Sequence, residues 1–355
     1  MKNFNNIYEK VYREYGREIE EIRNKAKEES NMIIIMWIVL LLFTYPVSLI
    51  GGIFVFLVSL AYVLLIFYTI IKLINSKATA QFKKEYKEKI IGSFIKEYEE
   101  KLNYFPNEGV SSLIYRNAGF EGFDRFSSED LITGTLNDKY KISLSEVHTE
   151  RESTDEDGHT TYHTIFRGLF GVVDLDATIG TNVKIRRNNI ALFDRKYKIE
   201  MDSQEFESIF NVYGTDKIAT MQLLTSDVMQ ELIDFRKNSK ILPEISIIAD
   251  KLYIRFFTGN VFEPKIRQSA FDYSTLLKYY NIINFTLSIT EKMIKNIYDT
   301  AEINGTDNEI NSYQEKEELN KIEQDYNRGV ASRRTAIAMI IFIMYIVFRI
   351  IFTFR

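Results

Sequence analysis

The chain has 355 residues, 45 Lys and Arg against 49 Asp and Glu, a net charge of −4, and 46% hydrophobic residues. It contains no cysteine, which excludes disulfides, zinc–thiolate sites, iron–sulfur clusters and a cysteine nucleophile. The slightly negative charge argues against a nucleic-acid-binding protein, because such proteins neutralise phosphates with a basic surface. The length allows two ordinary domains, or one domain with appended segments.

The longest apolar segment covers residues 32–71, which include no Asp, Glu, Lys or Arg. A helix needs about 20 apolar residues to cross a bilayer, so this segment is long enough for two crossings. Tyr45-Pro46 and Gly51-Gly52 lie in its middle and are typical of a turn. The sequence therefore predicts a two-span transmembrane hairpin over residues 32–71.

The charges beside this segment predict its orientation. Basic residues occur within the first 31 residues, and a cluster of lysines follows the segment at Lys72, Lys77, Lys83, Lys84, Lys87 and Lys89. The short turn has no basic residue, so the positive-inside rule places the N-terminus and the main domain in the cytoplasm. Few prolines and many Ile, Asn and Lys suggest a bacterial genome, so we expect an inner (plasma) membrane protein.

A second apolar segment covers residues 335–354 and is interrupted by Arg349. It predicts a C-terminal transmembrane helix within residues 333–355, with Arg349 reaching the far interface. The uninterrupted part, residues 335–348, is short for a span, so an interfacial helix is the alternative. Residues 299–332 are polar and acid-rich, and predict a tether into this last helix.

Two amphipathic helices are predicted on either side of the first apolar segment. Apolar side chains recur at helical spacing within residues 1–31 and again within residues 72–103. The two helices would be antiparallel neighbours that bury these stripes against each other. We therefore expect a helical stalk that continues the membrane hairpin into the cytoplasm.

Residues 104–298 predict a cytoplasmic α+β domain built from β-hairpins and packed helices. Residues 140–145 alternate between apolar and polar side chains, and Asp157-Gly158 separates them from an apolar stretch at 162–174. A second hairpin is expected to turn at Asp250-Lys251, and Val183 and Ile185 indicate a further strand. The strands would then form two hairpin groups without a βαβ rhythm.

Helices are predicted between and after these hairpins, near residues 202–210, 216–224, 226–237 and 273–297. Thr225 precedes the third of them at a position suited to an N-cap. The whole chain is thus predicted as α+β, with a membrane hairpin and stalk before the domain and a membrane helix after it.

The histidines do not form a recognisable catalytic or metal site. His159 and His163 lie near three acidic residues, but positions four apart on a strand are about 13 Å apart, too far to share one ion. We therefore expect a solvated hairpin tip. His148 has no serine partner by any local motif, and phosphate-binding loops and nucleophile elbows are absent from the sequence. No catalytic, cofactor-binding or metal-ligating residue is predicted.

Lys184, Arg186 and Arg187 form a small basic cluster, with Lys196 and Lys198 nearby. Such a cluster could bind the phosphate of a lipid headgroup or a nucleotide, each basic residue near an anionic membrane being worth about 1 kcal/mol. The alternative is a solvated strand face without a ligand.

Short motifs follow one another in the central part of the chain: FDRF at 123–126, EDLITG at 129–134, SEV at 145–147, FRGLF at 166–170, FNVY at 210–213, DKIA at 216–219, LTSDVMQEL at 224–232, LYIRF at 252–256 and FEP at 262–264. They resemble the bacterial DUF3137 family over roughly residues 80–298, together with the apolar hairpin before them. The resemblance implies a family without an established activity, so it assigns no catalytic residue. Asp130 and Glu146 in these motifs could accept hydrogen bonds from a ligand, but carboxylates at strand ends usually face water.

These observations favour a membrane-anchored binding or scaffold module that recognises a protein or lipid without catalysis. The expected partners are the lipid bilayer, an anionic lipid, and a protein or second copy of the chain, but not nucleic acid. One alternative is a membrane-anchored enzyme or defence-type effector that uses dispersed acidic residues. Another is a small oligomeric channel or membrane-perturbing protein. Against it, the predicted spans contain no ionisable residue except Arg349, so a polar pore lining would have to come from Thr44, Ser48, Ser59 and Thr69.

Overall fold

The computed structural model describes residues 3–48, 53–74, 77–154, 159–175, 181–188 and 197–303. Contacts divide the chain into two units, Met1–Tyr298 and Asp299–Arg355. In the second unit only residues 299–303 are described, as the end of a helix. The predicted C-terminal membrane helix over 333–355 lies outside the described residues, as does most of the predicted tether over 299–332.

Along the described chain a group of helices comes first, and strands with further helices follow. The helices are α1 Phe4–Ser48, α2 Ile53–Ile74, α3 Lys77–Glu85, a π-helical turn Tyr86–Ile91, α4 Gly92–Tyr98, α5 Ser112–Asn117, α6 Gln204–Ile209, α7 Lys217–Leu223, α8 Ser226–Ser239 and α9 Tyr273–Ile303. The strands are β1 Leu102–Phe105, β2 Arg125–Leu136, β3 Tyr140–Thr154, β4 Thr160–Asp174, β5 Val183–Arg187, β6 Lys198–Ile199, β7 Phe210–Gly214, β8 Pro243–Ile248 and β9 Lys251–Phe256.

The described strands form one antiparallel sheet in the order β1-β2-β3-β4-β9-β8-β5-β7-β6. The two predicted hairpins are present as β3–β4 and β8–β9. The sequence did not predict that they join, because the pairing of β4 with β9 links residues that are far apart in the chain. That pairing runs from Leu169 opposite Phe256 to Asp174 opposite Lys251.

Each face of the sheet carries its own apolar core, because successive strand residues point to opposite faces. The larger core includes Leu144 and Ile254 and packs against helices, among them α8 and α9. The smaller core includes Val147 and Phe166 and packs against α5. Tyr115 on α5 is its centre, with the Phe170 ring centroid 4.9 Å away.

The helical stripes before the sheet lie in the larger core. Val11 and Ile19 of α1 are buried there together with Phe82 of α3 and Phe94 of α4. The segment 72–103 was predicted as one helix, but a π-helical turn interrupts it between α3 and α4. Such turns occur often at functional sites because they redirect side chains, and this one buries Lys87.

The predicted membrane hairpin over residues 32–71 is wrong: no helix in the described part of the chain has both the length and the apolar character needed to cross a bilayer. Residues 32–48 do not form a separate span, because they continue α1, whose earlier residues are charged. The remaining residues of the segment lie mainly in α2. The membrane-anchored description that depended on this hairpin is therefore not supported.

The pore lining considered for the channel alternative depended on this hairpin. The hydroxyl of Ser59 donates to the carbonyl oxygen of Val55 at 2.6 Å, and that of Thr69 donates to the carbonyl oxygen of Leu65 at 3.0 Å. Both hydroxyls therefore bond within their own helix.

Gly134 provides a test of the sheet edge. Its φ of +148° is unfavourable for other residues, and a Cβ there would lie 2.0 Å from the carbonyl oxygen of Lys101. We expect Gly134→Ala to lower the free energy of unfolding in urea by about 2–3 kcal/mol. Gly122→Ala is the control, because a Cβ at Gly122 meets nothing within 4 Å. Equal stabilities of the two variants would contradict this account.

Candidate functional site

A pocket of about 350 Å³ lies beside strand β5 and is called here the Lys184 pocket. Its charged lining comes from Lys184 and Arg186, and its apolar and aromatic lining from Phe120, Tyr197, Tyr213 and Ile248. Gly119, Asn182, Gly214 and Thr215 complete it.

The alternation of β5 places both cations in the pocket. Val183 and Ile185 are fully buried in the larger core. Lys184 and Arg186 therefore point to the opposite face of the sheet, where the segment that follows α5 lies over them. The carbonyl oxygen of Gly119 in this segment accepts hydrogen bonds from both side chains.

The ammonium of Lys184 donates to a neutral group. Its Nζ lies 2.8 Å from the carbonyl oxygen of Gly119. Burial lowers the pKa of Lys184, and the positive charge of Arg186 lowers it further, against a smaller opposing effect of Glu121. The site therefore holds a cation that the surrounding protein only partly compensates.

Arg186 is fixed by a carboxylate and an aromatic ring. Its Nη1 donates to Oε1 of Glu121 at 2.9 Å, and its Nη2 donates to the carbonyl oxygen of Gly119 at 3.3 Å. The guanidinium carbon lies 4.8 Å from the ring centroid of Phe120, within the range of a cation–π contact.

Behind the pocket, Arg255 is almost completely enclosed, with a side-chain exposure of 2%. Its Nε donates to Oε2 of Glu244 at 2.8 Å, and its Nη2 donates to Oε1 of Glu121 at 2.9 Å. Nη1 donates to the hydroxyl of Tyr115 at 3.1 Å. The guanidinium carbon also lies 4.2 Å from the ring centroid of Phe120. Glu121 and Phe120 thus connect Arg255 to the pocket.

The two arginines keep Glu121 ionised. Burial alone would raise the pKa of this carboxyl, but the hydrogen bond and charge of Arg255, together with the charge of Arg186, lower it to about 2. Glu121 therefore carries a negative charge at neutral pH.

A second cluster of charges lies around Lys87 on the π-helical turn. Its Nζ lies 2.7 Å from Oδ2 of Asp130, 3.2 Å from Oε1 of Glu263 and 3.6 Å from Oε2 of Glu129. Tyr104 donates its hydroxyl to the other oxygen of Asp130. Asp130 itself has a positive φ of 58°, at an irregularity in the β2–β3 register.

Glu146 on β3 lies beside this cluster and is buried. One of its oxygens accepts from the backbone N–H of Phe262 at 2.6 Å and from that of Val261. Oxygen atoms of Glu129, Asp130 and Glu146 lie within 4.8 Å of one another, a spacing that could suit a metal ion. Lys87 already places an ammonium against Asp130, so the cluster contains its own cation.

The structure brings together part of the predicted basic cluster. Lys184 and Arg186 line the pocket, whereas Arg187 is half-exposed, with its guanidinium carbon 5.0 Å from the ring centroid of Phe257. Lys196 lies outside the described residues, and Lys198 is exposed on β6.

The other candidates differ more from their predictions. Asp130 and Glu146 were expected to face water, but both are buried, because β1, α9 and the segment after β9 pack over the strand ends. His148 lies on the strand surface, with Nε2 3.0 Å from Oγ1 of Thr164. Nε2 of His163 on β4 lies 3.2 Å from Oγ1 of Thr161.

Sequence reasoning did not select Glu121, Glu244 or Arg255. A charged residue within the otherwise apolar strand motif at 252–256 was the available signal for Arg255. Its partners are far away in the chain or on the adjacent strand, so spacing alone could not identify them.

The enclosed ion pair of Arg255 and Glu244 generates a stability prediction. Removing Glu244 leaves the buried Arg255 to share one carboxylate, Glu121, with Arg186, so Glu244→Ala should lower the free energy of unfolding by about 3 kcal/mol. Glu205→Ala is the matched control, because Glu205 pairs with Lys237 at half-exposed positions and should cost below about 1 kcal/mol. If Glu244→Ala lowers the free energy of unfolding no more than the control does, the buried pair is not essential for stability.

Comparison with known proteins gives a family but no activity. No curated protein matches the chain. Among solved structures, the crystal structure of the mycobacterial trehalose monomycolate transport factor A, TtfA, is similar at 6% sequence identity and a TM-score of 0.33, over 62% of this chain and 94% of that one. A likeness at that level carries no argument.

Residues 164–295 match the DUF3137 family, described as proteins of unknown function. The motifs between 123 and 147 lie before this match, and the resemblance is confirmed for its later part: residues 164–295 are a DUF3137 region.

Proposed function

We propose that the chain is a binding module that recognises a small anionic ligand with an apolar body in the Lys184 pocket. The observation that carries the proposal is the half-buried ammonium of Lys184, which donates to the carbonyl oxygen of Gly119. Burying a charge is costly unless an opposite charge accompanies it. An anion in the pocket would supply that charge.

The charge balance around the pocket supports an anion. The cations Lys184, Arg186 and Arg255 and the half-exposed Arg187 lie around the two carboxylates Glu121 and Glu244, which leaves positive charge in excess. Both carboxylates bond to arginines, so the ammonium of Lys184 contributes to that excess from within the pocket. A phosphate or carboxylate group accepts hydrogen bonds from such an ammonium with more strength than a neutral carbonyl does.

The rest of the pocket supports an apolar or aromatic body on the ligand. Phe120, Tyr213 and Ile248 form its wall, and its volume of about 350 Å³ is within the usual range for small-molecule sites. A lipid headgroup with the start of its chain and a nucleotide both have this chemistry. Recognition of a protein partner or a second copy, and a cytoplasmic location, stay predictions from the sequence.

Lys184→Met tests the proposal by isothermal titration with hexyl phosphate, adenosine monophosphate, hexanoate and inorganic phosphate. We expect the wild-type chain to bind at least one of the first three, and the variant to bind that ligand about tenfold more weakly or worse, which corresponds to about 1.4 kcal/mol. Preference for hexyl phosphate or for the nucleotide distinguishes the two sources of the anion.

The matched control is Lys101→Met, because Lys101 is an exposed residue that pairs with Asp138 outside the pocket. Its affinity should equal that of the wild type. Lys184→Met should not lose stability in urea, since removing a poorly compensated buried charge is neutral or favourable. Absence of binding to all three ligands by the wild type, or equal affinity of Lys184→Met, would overturn the proposed function.

A further inference from the structure

We propose that Glu146 is a proton-dependent latch on the segment 257–264: its neutral carboxylic acid holds the segment closed against the sheet, and its ionisation favours an open, hydrated segment. This segment connects β9 to the residues before α9 and contains no helix or strand. The Glu146 cluster and the Lys184 pocket share no lining residue, so the two proposals stand separately.

Glu146 contacts the segment through its backbone. One carboxyl oxygen accepts from the N–H groups of two consecutive residues, Val261 and Phe262. The hydroxyl of Tyr279 on α9 donates to the carbonyl oxygen of Val261. Phe262 is buried, with its ring centroid 4.8 Å from that of Tyr279 and 6.0 Å from that of Tyr104. Glu146 therefore holds the middle of the segment from the sheet, next to Arg167 on β4, whose Nε donates to Oδ1 of Asn260 at 2.7 Å.

The groups that face Glu146 come from every element around it, including His148 on β3 and Arg167 on β4, which line the same cleft. Strand β2 contributes Glu129 and Asp130, β1 contributes Tyr104, the π-helical turn contributes Lys87, α9 contributes Lys278 and Tyr279, and the segment itself contributes Glu263. The hydrogen bonds of Lys87 and Tyr104 go to Asp130, while Glu146 accepts from neutral N–H groups. A negative charge on Glu146 is therefore less well compensated than that on Asp130.

Burial raises the pKa of Glu146 to about 7, because the two backbone hydrogen bonds and Lys87 only partly offset the desolvation, and the nearby Asp130 adds to it. The closed segment thus binds the proton more tightly than an open, hydrated form, in which the carboxyl approaches its ordinary pKa of 4.5. The stabilisation of the closed form is complete below about pH 4.5 and is lost as the pH rises through about 7.

Opening of this segment would change access to two clefts. Asn260 in the segment lines a cleft of about 340 Å³ that also contains Glu129, Glu146 and His148. It lines a second cleft of about 210 Å³ that also contains Lys278. Both clefts therefore depend on the position of one short connection.

Hydrogen exchange of the full chain tests the latch. Between pH 5 and pH 8.5, after correction for intrinsic exchange, protection of residues 257–264 should fall by up to about tenfold per pH unit as the pH rises to about 7, and should level off above it. Glu146→Gln is neutral at every pH and keeps a carbonyl oxygen for Val261 and Phe262, so its protection should not depend on pH. Glu205→Gln is the control, because Glu205 is half-exposed, pairs with Lys237 away from this cluster and should leave the pH dependence unchanged.

Two outcomes would overturn the proposal. One is wild-type protection that is constant or rises with pH, which is decisive even if Glu146→Gln does not fold. The other is an identical pH dependence in the wild type and a folded Glu146→Gln variant, which would assign the opening to another group.

Discussion

The enclosed pair of Arg255 and Glu244 is the interaction on which the rest of the sheet depends. The two residues face each other across β9 and β8, and β9 is also the strand that joins the β3–β4 hairpin to the remaining strands. A guanidinium can be enclosed there only if its donors are occupied, and Glu121 and Tyr115 complete the set. These partners lie in and directly after α5, so the same pair also determines where that helix packs on the sheet.

The two charged clusters lie on opposite faces of the sheet and differ in how their charges are paired. Around Arg255 the charges alternate in sign and are joined by aromatic rings, so each group is held in one arrangement. Around Lys87 several carboxyls surround one ammonium, and Glu146 depends on backbone N–H groups instead. In the first arrangement the arginines lower the pKa of Glu121 to about 2, so this carboxylate stays ionised over the physiological pH range. The second has two protonation states of similar free energy near neutral pH.

Local patterns predicted much of this fold. The alternation of β5, the two hairpins and the helices α6 to α9 agree with the sequence analysis, because each depends on neighbouring residues. Contacts between distant residues were not predictable, among them the pairing of β4 with β9 and the enclosure of Glu146. Thr225 occupies the N-cap position of α8, but its hydroxyl donates to the carboxylate of Asp227 rather than capping the helix. The apolar composition of residues 32–71 indicated a membrane hairpin, whereas α1 continues through its first part without interruption.

The residues of strand β5 fall into two sets that point to opposite faces of the sheet. Val183 and Ile185 serve the larger core, whereas Lys184 and Arg186 serve the pocket, and the pleat of the strand keeps the two sets apart. Substitutions at the outward positions can therefore alter what the pocket accepts while the apolar packing beneath stays intact. Arg186 also pairs with Glu121 beside Arg255, whereas Lys184 donates to a neutral carbonyl, so Lys184 is the position at which the charge of the pocket can change with the smaller effect on folding.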